Sequence, residues 1–270
     1  MERPKIALVG AGKMGLALLE GFARDSVGSV LVVEPNPSPR VVELCEEHGF
    51  RLASAPEAGF PAPDALVLAI KPQMLEAAAP SLQSLAGPET LLLSILAGKR
   101  VVDLAARFPR ARAIVRAMPN TPAAIGRGVA GAFANAGTSA AERDLAHRLL
   151  GAVGAVEWVA DEELIDAVTA VSGSGPAYVF HLVECLAAAG VASGLPAELA
   201  ARLARATVAG AGELMYRNPD VSPRTLRENV TSPGGTTAAA LAVLMAEEGL
   251  APLLERAVAA AKRRAGELSG

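Results

Sequence analysis

The sequence is short of aromatic residues, histidine, cysteine and surplus positive charge, and each shortage removes a class of function. Aromatics make up 3%, too few for the stacking platforms that hold single-stranded nucleic acid. The formal net charge is −3, so no basic face is expected and no nucleic-acid partner. The two cysteines, Cys45 and Cys185, lie far apart and suggest neither a disulfide framework nor a metal site. Both are expected to be reduced, as in a cytoplasmic protein. Met1-Glu2-Arg3-Pro4-Lys5 runs straight into an apolar strand, and no signal segment is expected. The apolar stretch Ala167 to Ala189 is broken by Ser172-Gly173-Ser174-Gly175-Pro176, His181 and Glu184. It reads as a buried helix pair, so no membrane span is expected.

One further lack bears on chemistry. Between Val159 and Pro252 there is no lysine, and the only histidine is His181. A nicotinamide enzyme that oxidises an alcohol or reduces a ketone needs a positioned Lys, His or Tyr to move the proton. His181 sits among Phe180, Leu182 and Val183 and reads as a packing residue, while Tyr178 and Tyr216 fit either role. Glu162, Ser172, Ser174, Asn229, Ser232, Thr236 and Thr237 remain. They orient a ligand well and do little strong acid–base work. An acceptor that is already activated, such as a protonated C=N bond, suits them.

What is present divides in two. With 270 residues, half of them hydrophobic, the chain can fill two modest cores. Ile6-Ala7-Leu8-Val9 ends at Gly10-Ala11-Gly12-Lys13-Met14-Gly15, and a helical pattern follows. Between a strand and a helix, this glycine spacing reads as a dinucleotide loop: Gly10 for the turn, Gly12 for the approach of a pyrophosphate, Gly15 for close packing. Val30-Leu31-Val32-Val33 ends at Glu34, where such a fold holds a ribose hydroxyl. The plain alternative is a glycine-rich turn of an unrelated α/β domain. Further apolar strands, Ala65–Ile70, Leu91–Ile95 and Ala113–Arg116, alternate with helices at 39–48, 74–85 and 101–108. That order predicts a parallel sheet covered on both faces. Three loops fall at the strands' carboxyl ends: Lys71-Pro72-Gln73, Leu96-Ala97-Gly98 and Met118-Pro119-Asn120-Thr121-Pro122. Short strands at 128–135 and 156–158 flank a helix at 139–150, and after Trp158 only helices are expected. The predicted fold class is an α/β N-terminal Rossmann-like dinucleotide-binding domain, residues 1–159, followed by an all-α C-terminal domain, residues 160–270. In the second, Thr231-Ser232-Pro233-Gly234-Gly235-Thr236-Thr237 precedes a helical pattern. Ser232 or Thr231 is expected to cap that helix, with Pro233 in its first turn and free N–H groups open to a carboxylate or phosphate. An ordinary capped helix start is the plain alternative.

The sequence resembles the Δ1-pyrroline-5-carboxylate reductase family over essentially its whole length. The resemblance is carried by Ala69-Ile70-Lys71-Pro72-Gln73, by Arg116-Ala117-Met118-Pro119-Asn120-Thr121-Pro122-Ala123, by Asp166 to Tyr178 and by Thr231 to Thr237, in that order. It implies reduction of 1-pyrroline-5-carboxylate to L-proline with NADPH or NADH, the final step of proline biosynthesis. Carried over by position, the cofactor contacts Gly10, Ala11, Gly12, Lys13, Met14, Glu34, Ala69, Ile70, Lys71, Pro72, Ile95, Leu96, Ala97, Asn120 and Asn229. The substrate meets Glu162, Ser232, Gly234, Gly235, Thr236 and Thr237, and Thr237 matches the threonine that hydrogen-bonds the ring nitrogen. The family forms homodimers through its C-terminal helices, often assembled into rings of dimers. Three positions depart from its pattern. Glu34 stands where many members have a small polar residue and repels a 2′-phosphate, with Asn36, Ser38 and Arg40 able to compensate; Pro56 stands for an asparagine and Leu96 for an alanine. Two rival readings are a 3-hydroxyacid dehydrogenase, which normally needs a lysine in the helical half, and a dinucleotide sensor without turnover.

Overall fold

A computed structural model describes residues 4–25, 27–56, 60 and 62–269. The expectation about the chain start at Met1–Arg3 falls outside them. From the N-terminus run β1 (Ile6–Val9), α1 (Lys13–Arg24), β2 (Val30–Val33), α2 (Pro39–His48), β3 (Arg51–Ala53), β4 (Ala65–Leu68) and α3 (Leu75–Leu82). Then come β5 (Leu91–Ser94), α4 (Val101–Arg107), β6 (Ile114–Met118), β7 (Gly128–Ala134), α5 (Ala140–Gly151) and β8 (Gly154–Trp158). The strands form one sheet in the order β3-β2-β1-β4-β5-β6-β7-β8. Its first six strands are parallel in a dinucleotide-fold order, which reverses direction at β1 and β4.

Period-2 alternation sorts the strand residues to the two faces. Ile6 and Leu8 join Leu18, Phe22, Val41 and Leu149 on one side. Ala7 and Val9 join Leu75, Leu82, Leu104 and Phe108 on the other. Each fully buried Leu, Ile or Phe contributes about 1.5–3 kcal/mol, so both faces anchor the loops at the strand ends.

Two features differ from the expected all-parallel sheet. β7 runs antiparallel to β6, because only a nine-residue connection with one 3₁₀ turn (Thr121–Ile125) joins them, too short for a crossover. β3 was not foreseen: Arg51-Leu52-Ala53 is too short and mixed to show a pattern, and pairing with β2 alone makes it a strand.

The helical part comprises α6 (Leu164–Val168), a π-helical turn at Thr169–Gly173, α7 (Gly175–Ala192), α8 (Ala197–Arg217), α9 (Pro223–Asn229), α10 (Thr236–Leu244) and α11 (Leu250–Ser269). By packing, the chain makes two compact units: residues 1–173 with 261–270, and Ser174–Ala260. This division differs from the 159/160 boundary drawn where strand signals end. α6 packs against β6 and β7, and the end of α11 packs on the loop after β5, where a Cβ at Gly98 would meet the Leu268 carbonyl oxygen.

Within the second unit α7 packs on α8 through small residues, Gly190 against Ala200, with Ala204 also buried. Otherwise α7 holds no buried residue, and Phe180 is 64% exposed. The burial expected of the stretch Ala167 to Ala189 is met at Ala170, before the break, but not in α7 within one chain, because α8 covers only one side of it. His181 is corrected likewise: it is exposed and its Nδ1 lies 3.0 Å from Glu184 Oε2, so it is no core residue. The helical stretch Leu164–Ala192 is long and apolar enough to cross a membrane by length and composition.

Candidate functional site

The glycine loop leaves β1 at the switch point of the sheet. Gly10 has φ 90°, and a Cβ there would strike Ala69 and Ile70 at the end of β4. A Cβ on Gly15 would collide with the Gly10 carbonyl oxygen, so α1 packs this close to the strand only with glycine. Gly12 is the opposite case: no atom lies within 4 Å of where its Cβ would stand. Gly12 is also the N-cap of α1 and makes no side-chain cap bond, so the first-turn N–H groups of Lys13, Met14 and Gly15 stay free for an anion. An open space at Gly12 beside a bare helix start fits a dinucleotide pyrophosphate.

Glu34 follows β2 on the same edge. Its Oε2 accepts the Ala11 N–H at 2.8 Å and its Oε1 the Asn36 N–H at 3.0 Å. The acid thereby braces the glycine loop from the neighbouring strand. A cleft of about 620 Å³ opens beside it, lined among others by Gly10, Gly12, Glu34, Pro56, Ala69, Ile70 and Lys71. Pro72 starts the 3₁₀ turn that carries this lining toward α3. Met14 is partly buried against the core, so toward a ligand it offers its backbone.

Further along the edge, Ile95 and Ala97 follow β5, with the Ile95 N–H bonded to the Leu68 carbonyl at 3.1 Å. Leu96 is 2% exposed and sits in the core with α3 and α4, so its side chain is committed to packing. Asn120, after β6, is buried with both ends of its amide engaged. Its Nδ2 donates to the Ser172 carbonyl at 3.1 Å and its Oδ1 accepts the Val129 N–H at 2.9 Å. It ties the π-helical turn to the start of β7. A π-helical turn widens a helix by one residue and recurs at functional sites.

Sequence reasoning missed the role of Arg116, whose only signal was a lone cation ending an apolar run. It is 3% exposed on β6, with Nη1 at 3.2 Å from Glu162 Oε1 and Nη2 at 3.6 Å from Asp166 Oδ1. Glu162 Oε1 also accepts the Val101 N–H at 2.8 Å. Glu162, expected beside the substrate, thus has this oxygen engaged in holding β6 and the start of α4.

In the second unit the substrate stretch is rearranged relative to expectation. The N-cap of α10 is Gly235, not Ser232 or Thr231, and Pro233 precedes the helix. Ser232-Pro233-Gly234-Gly235 forms a tight turn closed by Gly235 N–H to the Ser232 carbonyl at 3.0 Å, with Gly234 at φ 69°. Proline followed by a left-handed glycine is the type II signature, and that chemistry won over capping. The Thr231 hydroxyl bonds back to the Arg227 carbonyl at 2.6 Å. No side chain caps α10, so the N–H groups at Thr236 and Thr237 are free for an anion. Asn229 ends α9, exposed, in the same unit.

The chain resembles known proteins along its full length. Residues 162–268 match a family described as pyrroline-5-carboxylate reductase dimerisation, and residues 5–98 one described as NADP oxidoreductase, coenzyme F420-dependent. A pyrroline-5-carboxylate reductase of Pseudomonas aeruginosa is 40% identical, over 100% of this chain and 98% of that protein. The solved reductase of Coxiella burnetii superposes with a TM-score of 0.91 at 33% identity, covering 100% of both chains. That of Plasmodium falciparum, solved with NADP bound, gives 0.80 at 28% identity, again over 100% of both.

Proposed function

This chain belongs to the pyrroline-5-carboxylate reductase family, and we propose from that membership and the geometry above how its residues divide the work. It is an NAD(P)H-dependent oxidoreductase that reduces 1-pyrroline-5-carboxylate to L-proline, the closing step of proline biosynthesis. When bound, the nicotinamide supplies the hydride for the imine carbon. The Gly10–Gly15 loop takes the pyrophosphate on the free N–H groups of Lys13, Met14 and Gly15, with the Lys13 side chain adding a positive charge and Ala11 held in place by Glu34. Glu34 takes the ribose hydroxyls. Ala69, Ile70, Lys71, Pro72, Ile95 and Ala97 line the cofactor's path along the sheet edge by backbone and small side chains, and Leu96 by its backbone alone. Asn120 positions the π-helical turn.

The bare first turn of α10 holds the substrate carboxylate. Ser232, Gly234 and Gly235 keep that approach open, and Thr236 contributes its N–H. The Thr237 hydroxyl hydrogen-bonds the ring nitrogen and orients it. As the C–H bond forms, the C=N π pair moves onto the nitrogen, which already carries its proton. No strong acid or base is required, in keeping with the absence of lysine between Val159 and Pro252. Glu162 acts as a positioning residue through Arg116.

The division of labour takes residues 160–270 as the substrate-binding and dimerising domain. The match to the dimerisation family gives a homodimer, and a second copy accounts for the apolar face of α7 without a membrane. Rings of dimers and a cytoplasmic location complete the reading. The observation that carries it is the pair of bare helix starts, at α1 and at α10, each fronted by glycines. The test incubates the full-length protein with racemic pyrroline-5-carboxylate and either reduced nicotinamide, following cofactor absorbance and proline. Cofactor binding without turnover would sink the reading in favour of a dinucleotide sensor.

A further inference from the structure

We propose that this chain prefers NADH to NADPH and that Glu34 sets the preference; this rests on the reductase reading above. The two cofactors differ only at the adenosine ribose, where NADPH carries a 2′-phosphate of about −1.5 to −2 charge. What stands at the end of β2 decides between them.

The Glu34 carboxylate is fixed there. Each oxygen accepts one backbone N–H, from Ala11 at 2.8 Å and from Asn36 at 3.0 Å. Swinging the side chain away from a phosphate would strip both donors and loosen the glycine loop that grips the pyrophosphate. An ionised carboxylate accepts about four hydrogen bonds, so each oxygen keeps a free lone pair. Those two acceptors match a ribose 2′,3′-diol, and they oppose a phosphate.

A cation could reverse this, and the structure shows where the candidates are. Arg40 is the nearest in sequence, but its guanidinium lies 3.4 Å from Glu43, 3.5 Å from Glu20 and 3.7 Å from Glu47. These carboxylates hold it on the side of α2 that faces α1, and Arg40 is not part of the cleft lining. Arg51 begins β3 opposite Leu31, two residues short of the edge where Glu34 follows Val33. Between Arg51 and Lys71 the sequence has no lysine or arginine, so the wall that continues from β3 carries no positive charge. Ser54, Ala55 and Pro56 form the described part of that wall. Lys71 lies across the cleft on the β4 side. Lys13 stands at the pyrophosphate, which both cofactors share. Asn36 and Ser38 cannot neutralise charge, and neither lines the cleft.

The experiment measures kcat/KM of the full-length enzyme for NADH and for NADPH, with pyrroline-5-carboxylate saturating and salt low. NADH is favoured by about tenfold or more. Glu34→Gln keeps the shape and one acceptor but removes the charge; the ratio falls about tenfold, chiefly through gain with NADPH. Arg40→Ala leaves the ratio within about twofold, since its guanidinium is spent on glutamates. Should Glu34→Gln fail to fold, raising ionic strength with the wild type replaces it: screening narrows the ratio. Equal or better use of NADPH by the wild type overturns the proposal, as does selective loss of NADPH activity in Arg40→Ala. Absence of imine turnover with both cofactors overturns the reductase reading instead. Calorimetric affinities for NAD⁺ and NADP⁺ then decide the preference by themselves.

Discussion

The sheet unit and the helical unit each present a helix start without a side-chain cap, at α1 and at α10, on very different supports. In the sheet unit β1, β2, β4 and β5 are buried along their whole lengths, and the glycine loop is braced from next door by Glu34. In the helical unit α7, α9 and α10 hold no buried residue at all. The sheet unit buries its core within one chain. The helical unit has its turn geometry but leaves these helices uncovered within one chain, and residues 162–268 match a dimerisation family. A dinucleotide site can be built from backbone and glycine alone, whereas helices rich in alanine and leucine need partners to bury their faces.

Four substitutions break or sharpen this contrast. The largest effect is expected at Arg116, which ties the sheet to Glu162 and Asp166. Arg116→Met strands two partly buried carboxylates and costs about 3–5 kcal/mol in urea unfolding. A loss below about 1 kcal/mol would show that the cluster is no clamp.

Thr237→Ala tests the substrate half alone. Turnover is expected to drop about a hundredfold while the dissociation constant for the cofactor stays put. Wild-type turnover would remove Thr237 from the reaction.

Leu186→Glu places a charge on the exposed apolar side of α7, where Leu186 lines the groove with α8. Sedimentation should report monomers that still bind cofactor. Loss of cofactor binding in those monomers would contradict the independence of the two halves.

The smallest effect is expected at a helix start that does carry a side-chain cap. Ser139 caps α5 in a reciprocal pair with Glu142, donating from N–H at 2.7 Å and accepting at 3.3 Å. Burial pushes the Glu142 carboxyl up, but the Ser139 hydrogen bonds and Arg112 outweigh it and hold it below its ordinary value. A depressed folded-state pKa stabilises above the unfolded value of about 4.3 and fades as pH falls through the folded one. Ser139→Ala should therefore cost about 1 kcal/mol at neutral pH and progressively less in acid. A cost that is flat from neutral to acid pH would remove Glu142 from the account.

Much of the cofactor half was legible because its signals are local. Gly10, Gly12 and Gly15 are required by backbone geometry a few residues apart, and α2 spans residues 39–48, the range its pattern predicts. Less was legible in the Ser232 stretch. Capping and turn chemistry draw on the same Ser, Pro and Gly, and only the fold shows that a type II turn is closed first and that α10 starts bare at Gly235. Arg116 and Glu162, 46 residues apart, carry no mark of each other in sequence. Asn120 likewise reads as a loop residue until Ser172 and Val129 are brought to its amide.

By itself the sequence determined the alternation of strand and helix, the glycine loop with its acid, and the shortage of proton-moving residues in the second half. These are properties of composition and short-range spacing. The tertiary structure decided what Glu34, Arg40 and Glu162 are free to do, because that depends on which carboxylates, guanidinium groups and backbone amides meet across the sheet edge. It also decided that α7 is left uncovered in a single chain, because burial is settled by which elements pack together and not by how apolar a helix is.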